Sequence, residues 1–369
     1  MPSVSTVTGI FRGLWLTDFM KRWLVVAVVC SALSAHAQTQ FVPSDLRAGE
    51  AVNGFPKWEE RVIHEWINRA RVDPQLEMTK CGAACLEKAC YAPIGPLGWG
   101  EALNHSARYH AAEMTKQNYF GHDSQCTIVP NINALYPAGC DGSASCGCVG
   151  GSLKCTGSGC TSWASRVSMF GAGPAGEIIA SPSDPNQAFY LWLYEGAFNN
   201  ACGFSSANGH RYLILTANGS VGLGVSGYSV GDFGSGDPPY KIPSGSHYPR
   251  QAASVELWAN WYDSKAPKSA SVVVDGTCTT MSLKRGTPTN GAWSATANNV
   301  GSGCHRYYFS FVDANGATVT YPATGSLGIG SAASCADWDT SRINSTCNLP
   351  VTPPPPPSTP GRRHSARPR

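Results

Sequence analysis

Fifteen cysteines lie in this chain of 369 residues, and their placement constrains the fold more than any other feature. Cys30 falls inside an apolar run from Trp23 to Leu33. The remaining fourteen are an even number: ten lie between Cys81 and Cys202, and four between Cys278 and Cys347. An even set is what full disulfide pairing requires in an oxidising compartment, and the split predicts two separately stapled domains. The competing chemistry is zinc, because Cys81, Cys85 and Cys90, or Cys146 and Cys148, are close enough in sequence to share an ion. Connectivity does not follow from spacing.

The N-terminus agrees with export. Met20-Lys21-Arg22 supplies a basic start, Trp23 to Leu33 an apolar stretch, and Ala35-His36-Ala37 a small-x-small cleavage site. Residues 1–37 therefore read as a signal peptide. Met1 to Asp18 is unlike the start of one, which points to Met20 as the real beginning. The apolar run is too short for a membrane-spanning helix. Val29 before Cys30 argues against lipid attachment there. A secreted or cell-surface monomer without a transmembrane anchor is expected.

The formal charge of +3 is carried by the ends. Residues 1–37 contribute +2 and the arginines after Gly361 contribute +4, so the part between is about −3, with no basic stripe. Nucleic acid is not an expected partner. Charged residues are only 14 % of the chain, against roughly 25 % in ordinary domains. Gly, Pro, Ser and Cys fill the gap, which predicts many loops.

Along the chain, Lys57 to Arg71 reads as a helix ended by Pro74, with Val62, Trp66 and Ile67 on its apolar side. A second runs from about Gly100 to Asn118, with Leu103, Ala107, Ala111 and Met114 on one face. His105 and His110 lie on it and read as packed or solvated side chains. Residues 126–160 are poor in large apolar groups and read as a disulfide-pinned surface insertion without a core of its own. A third helix starts after Ser183-Asp184-Pro185, an Asp cap with Pro at the first turn. Arg211 to Thr216 and Val221 to Tyr228 read as strands joined at Asn218-Gly219. Residues 231–251 form a Gly/Pro/Ser-rich linker. Residues 252–348 then change grammar to short strands, with turns at Asp275-Gly276 and Asn315-Gly316, as in a small β-sandwich. Five prolines, Pro353 to Pro357, begin a tail over 349–369.

Four residues stand in distinctive frames. His122 lies in Asn118-Tyr-Phe-Gly-His-Asp-Ser124, Glu177 in Gly176-Glu-Ile-Ile-Ala180, Glu195 in Trp192-Leu-Tyr-Glu195, and His210 in Gly209-His-Arg211. Two imidazoles can hold a divalent metal such as zinc, and nearby carboxylates can bind it, orient water or hold an imidazole N–H. With Ile67-Asn-Arg-Ala-Arg71, Pro96-Leu-Gly-Trp99 and Gly222-Leu-Gly224, these frames resemble, in order, the motifs of the CAP superfamily of cysteine-rich secretory, antigen 5 and pathogenesis-related 1 proteins. The resemblance covers residues 56–230. It implies an α-β-α sandwich with His122, Glu177, Glu195 and His210 lining a cleft where the histidines hold a divalent cation. The fold expected is therefore α/β, a CAP-type sandwich followed by a small Ig-like all-β sandwich. Two departures stand out. Ile178 replaces the usual Asn, removing a polar group beside Glu177, and the 126–160 insertion is positioned to narrow the cleft.

Two functional readings follow. The first, implied by the resemblance, is a non-enzymatic binding protein for sterols or other lipids, or for an extracellular protein or glycan. Trp258, Trp261, Tyr262, Tyr307 and Tyr308 of the β-region are then candidates for stacking on sugars, although strand-borne aromatics are usually core. The second is a metal-dependent, protease-like hydrolase using Glu177 or Glu195 as base. Nothing adds a nucleophile: His64-Glu65 lacks the second histidine of a zinc-protease helix, because Asn68 stands there. No Gly-x-Ser-x-Gly occurs at a strand-to-helix junction.

Overall fold

The computed structural model describes residues 48–51, 56–153, 155, 159–196, 202–236, 240–345 and 347. Residues 1–37, read above as a signal peptide and including Cys30, and residues 349–369 lie outside them. The described residues form helices and three mostly antiparallel sheets, a mixed α/β architecture.

The first lobe contains helix α1 (Trp58–Val72), strand β1 (Gly98–Trp99), helices α2 (Glu101–Gln117) and α3 (Trp163–Met169), strand β2 (Pro174–Ala180), helices α4 (Pro185–Leu193) and α5 (Gly209–Thr216), and strands β3 (Ser220–Ser226) and β4 (Tyr228–Gly234). Local chemistry explains most boundaries. Glu60 accepts the Lys57 N–H at the start of α1, acidic side chains occupy its first turn, and Arg69 and Arg71 its last. Asn118 closes α2 in the left-handed region at φ 55°. Asp184 accepts the Gln187 N–H and Pro185 opens α4, as expected.

Gly209–Thr216 is a helix, where a strand over Arg211 to Thr216 was expected. Its buried residues, Arg211, Ile214 and Leu215, recur at helical spacing, and tertiary bonds to Arg211 outweigh the β-propensity of the segment. The hairpin turn therefore moves from Asn218-Gly219 to Gly227 at φ 75°, between β3 and β4.

The strands run β1-β3-β4-β2, with β2 at an edge. Ile178, Val221, Leu223 and Phe233 face a core shared with α1, α4 and α5. Ile179 and Val230 face α2 with Ala107, Ala111 and Met114. Helices thus cover both faces. On the α2 side the approach is very close: a Cβ on Gly222 would lie 1.9 Å from the Asn104 nitrogen, and one on Gly224 2.3 Å from the Ala107 carbonyl carbon. Only glycine fits there.

The second lobe has one sheet of β5 (Gly245–Tyr248), β6 (Ser254–Tyr262), β9 (Ser282–Thr287) and β10 (Asn290–Asn298) in the order β5-β6-β10-β9. The other comprises β7 (Ser269–Val274), β8 (Thr277–Thr280), β11 (His305–Val312), β12 (Thr318–Tyr321), β13 (Ser326–Ile329) and β14 (Trp338–Asp339), ordered β14-β13-β11-β7-β8 with β12 also on β11. Side chains of both sheets, including Leu257, Trp261, Val272, Phe309 and Phe311, share one core. Asp275 and Gly276 turn β7 into β8 with positive φ at both positions, as their sequence predicts. Trp258, Trp261, Tyr307 and Tyr308 are buried, so only Tyr262 of the proposed sugar-stacking set is exposed. Within 231–251, residues 231–234 complete β4 and Gly245–Tyr248 is β5.

Seven disulfides pair Cys81–Cys85, Cys90–Cys202, Cys126–Cys148, Cys140–Cys146, Cys155–Cys160, Cys278–Cys347 and Cys304–Cys335. No bond crosses between the ten-cysteine and four-cysteine groups, and the thiols considered for zinc are consumed. The 126–160 insertion is not coreless. Ile128, Ile132 and three half-cystines bury themselves against Tyr109 of α2 and Phe170, the host helix supplying what the segment lacks.

Both lobes belong to one compact unit. The Trp58 indole N–H donates to the His247 carbonyl at 2.9 Å, and the Trp58 backbone N–H donates to Asp337 at 2.8 Å. A carboxylate of the second lobe thereby caps the first turn of α1. Ser244 donates to Glu65 at 2.6 Å and accepts from Asn68 at 3.1 Å. The Arg69 guanidinium lies 3.8 Å from the centre of Trp66 and 5.0 Å from that of Trp258.

The seam has a pH signature. Burial pushes the Glu65 carboxyl up to about 8, against the opposing pull of Ser244 and Arg69. Burial likewise pushes Glu60 up to about 7, although Arg108 opposes it. A raised acid binds more protons folded than unfolded, so stability falls as pH rises from its unfolded value to its folded one. Desolvated His64 and His247, held near 4 and 3, act oppositely, but only below their ordinary value of 6.5. The melting temperature should therefore fall between about pH 6.5 and about pH 8. Calorimetric scans of Glu65→Gln should show a shallower fall, by up to about 1.4 kcal/mol per pH unit. An unchanged slope would mean that Glu65 is ionised at this seam.

Candidate functional site

The left-handed residue Asn118 turns the chain off α2. Tyr119 then enters the core, while Phe120 is exposed and packs on Tyr228 at 5.4 Å between ring centres. The loop is pinned on both sides of His122. Arg166 of α3 donates to the His122 carbonyl at 3.0 Å, Asp123 accepts the Trp163 N–H at 3.0 Å, and Ser124 bonds to the Thr161 carbonyl at 2.9 Å. This last bond closes the base of the 126–160 insertion beside His122. The His122 side chain nevertheless keeps 45 % of its surface exposed.

Glu177 lies on β2, on the sheet face turned to α2, paired in register with Asp232 of β4. Its Oε1 lies 2.9 Å from His122 Nδ1, and its Oε2 is bonded by Arg166. Arg166 also donates to Ser124 at 2.9 Å. Glu113, one turn before the end of α2, lies 2.6 Å from His110 Nδ1 and accepts from Ser124. His110 Nε2 stands 4.0 Å from Glu177. These groups are buried together behind His122.

Their charges are arranged by burial and pairing. Burial alone would raise Glu177, but Arg166, assisted by His110 and by the bond to His122, holds it down to about 2. Asp232 goes the other way: burial first, and the Glu177 charge second, push it well above the usual carboxylate range. The strand pair thus sets one carboxyl held down by a guanidinium beside one pushed up by burial and by its neighbour's charge.

The second pair is built from different elements. Glu195 follows α4. Its Oε2 lies 2.6 Å from His210 Nδ1, and its Oε1 accepts the Arg211 N–H at 2.8 Å. Arg211 is fully buried and donates to the Leu193 and Glu195 carbonyls at 2.7 and 2.6 Å and to Glu87 at 2.7 Å. These bonds lock the α4–α5 junction.

In both pairs a carboxylate accepts and an imidazole donates. Nδ1 therefore carries a hydrogen, which in a neutral ring puts the lone pair on Nε2. His122 and His210 are 45 % and 31 % exposed, whereas their glutamates are 1 % and 15 % exposed. The carboxylates stand behind the rings. The two pairs are linked through α5: Leu213, one turn beyond His210, lies against Gly176, where a Cβ would come within 2.6 Å of it. Gly176 immediately precedes Glu177.

The four predicted residues are thus brought together as two pairs. Among the described residues no three or more His, Cys, Asp or Glu side chains gather as a metal cluster. Ile178 is not a loop residue in place of a polar one: it sits in β2, buried on the face opposite Glu177. Sequence reading missed Arg166, Glu113 and Asp232 and set His110 aside. Asp232 carried a signal, a lone acid in the otherwise apolar Val230–Phe233. Arg166 carried none, because only the closed insertion brings it to Glu177. Compared with protein-family models, with curated proteins and with solved structures, the chain matches none.

Two substitutions separate the charge states. Arg166→Met leaves Glu177 buried without its cation and should cost about 3–5 kcal/mol in urea unfolding. Asp232→Asn replaces an acid whose charged form is disfavoured by burial and by the Glu177 charge, and should cost about 1 kcal/mol or less. Comparable large losses in both would show Asp232 to be ionised.

Proposed function

We propose that this chain is an exported, disulfide-rich recognition protein of the CAP type, with His122 and His210 as ligands for a divalent metal. The observation that carries this reading is the shared geometry of the two histidines. Each has Nδ1 held by a carboxylate that is more buried than the ring, and each ring keeps part of its surface exposed. Carboxylate-held imidazole is the usual outer-shell pattern of metal-ligating histidine. Imidazole nitrogen suits zinc and its neighbours among the transition metals. The order of the four motif frames supports the CAP reading, as do helices on both faces of the first sheet. For the second lobe, two antiparallel sheets on one core support an Ig-like sandwich.

Exposed apolar groups beside each histidine support recognition over catalysis. Phe120, two residues before His122, is 51 % exposed, and Phe204, whose ring lies against Gly209, is 68 % exposed. A ligand with an apolar face, such as a sterol or other lipid, suits such flanks. The hydrolase reading needs a carboxylate base. Glu177 is held near 2 by Arg166 and is a poor proton acceptor at neutral pH, and both Glu195 oxygens are occupied by His210 and Arg211.

Calorimetric titration of the mature protein with zinc chloride should show binding. The His122→Ala/His210→Ala double variant should lose it, and equal uptake by that variant would remove the metal reading. A screen on peptide, ester and glycan substrates should show no turnover that disappears in Glu177→Gln. Turnover lost in that variant alone would establish the hydrolase instead.

A further inference from the structure

A groove of roughly 550 Å³ opens where the start of α1 and the β3–β4 hairpin meet the second lobe. Lys57, Glu59, Ser226, Arg250, Asp337 and Trp338 line it, and none of the four His/Glu residues does. Its volume falls in the range of small-molecule sites, roughly 300–1,000 Å³. Three observations bear on what it holds.

The first is charge. Two cationic and two anionic side chains line the groove, so an anion meets Glu59 and Asp337 while a cation meets Lys57 and Arg250. A neutral molecule meets no net opposition. The second is preorganisation. Arg250 donates to Glu59 at 3.2 Å and to Asp337, whose other oxygen accepts the Trp58 N–H at 2.8 Å. The Arg250 guanidinium also lies 5.3 Å from the Trp58 ring centre. Donor and acceptor edges are therefore fixed side by side, the arrangement that adjacent hydroxyls of a sugar satisfy in pairs. The third is an aromatic wall. The Trp338 indole is held by its N–H bond to the Thr324 carbonyl at 3.1 Å. Gly325 lies close beneath it, where a Cβ would come within 3.0 Å of ring atoms. The ring is only partly buried and borders the groove.

We propose that this groove between the lobes binds a short neutral saccharide, stacked on Trp338, with its hydroxyls bonded by Arg250, Asp337 and Glu59. The site is independent of the histidine pairs and of any metal there. It also differs from the strand aromatics first considered for sugars, which are core.

The test is an array of immobilised neutral, sialylated and sulfated glycans probed with the mature full-length chain. Binding to neutral glycans is expected, and it should persist at high salt because no net charge is involved. Trp338→Ala should weaken it at least about tenfold. Because Trp338 also touches the core, Ser226→Trp on the exposed rim provides a second variant that fills the groove from outside and should abolish binding. His122→Ala/His210→Ala should bind glycans as the parent does. No glycan binding, binding confined to charged glycans, or full binding by Ser226→Trp would each overturn the assignment.

Discussion

The buried contact between Arg166 and Glu177 is the interaction on which most of the first lobe depends. Arg166 reaches across from α3 to β2 and also holds the His122 carbonyl and Ser124. One guanidinium thus fixes the loop carrying an imidazole and the carboxylate that orients it. Desolvating such a group is costly, and the attraction between partners offsets that cost only when every hydrogen-bonding position is used. Here Arg166 bonds Glu177, the His122 carbonyl and Ser124 while its Nε has no partner, and burial together with the Glu177 charge pushes the Asp232 carboxyl well above the usual carboxylate range.

The same economy runs through the molecule. Charged residues are scarce, at 14 %, yet Glu60, Glu65, Glu77, Arg71, Arg108 and Arg211 are all buried. Read from composition, the low charge suggested a chain with many loops. In the fold those few charges hold the junctions. Arg71 donates to the carbonyls of Gly95, Ile214 and Ala217, and Arg69 pairs with Glu77 at the seam. Buried pairs of this kind specify which elements meet more than they add to net stability.

Sequence was legible where structure is decided locally. The Asn118 end of α2, the Asp184 cap and the Asp275-Gly276 turn follow from local chemistry within a few residues. The close-packed Gly222 and Gly224 had a motif to announce them. It was illegible where a distant partner decides. The α5 segment is rich in Tyr, Leu, Ile and Thr and reads as strand, but Arg211 is bonded to elements far away in sequence and imposes helix. Arg166 and Asp232 joined the site only through chain closure and strand register. The histidine–glutamate pairing was foreshadowed by the motif frames, whereas which nitrogen of each ring is held depends on how separate elements meet in the fold.

The relation between the two pairs comes down to one small residue. Each imidazole is oriented by its own carboxylate on its own element, so neither pair positions the other directly. What couples them is α5 lying on β2, with Leu213 against Gly176. Any side chain at Gly176 would push α5, and His210 with it, away from the strand that carries Glu177. The glycine before Glu177 therefore serves spacing rather than backbone freedom, since its φ is not in the left-handed region. A ligand contacting both rings would draw on this packed contact for its preorganisation, and loosening that contact would separate the pairs without disturbing either one.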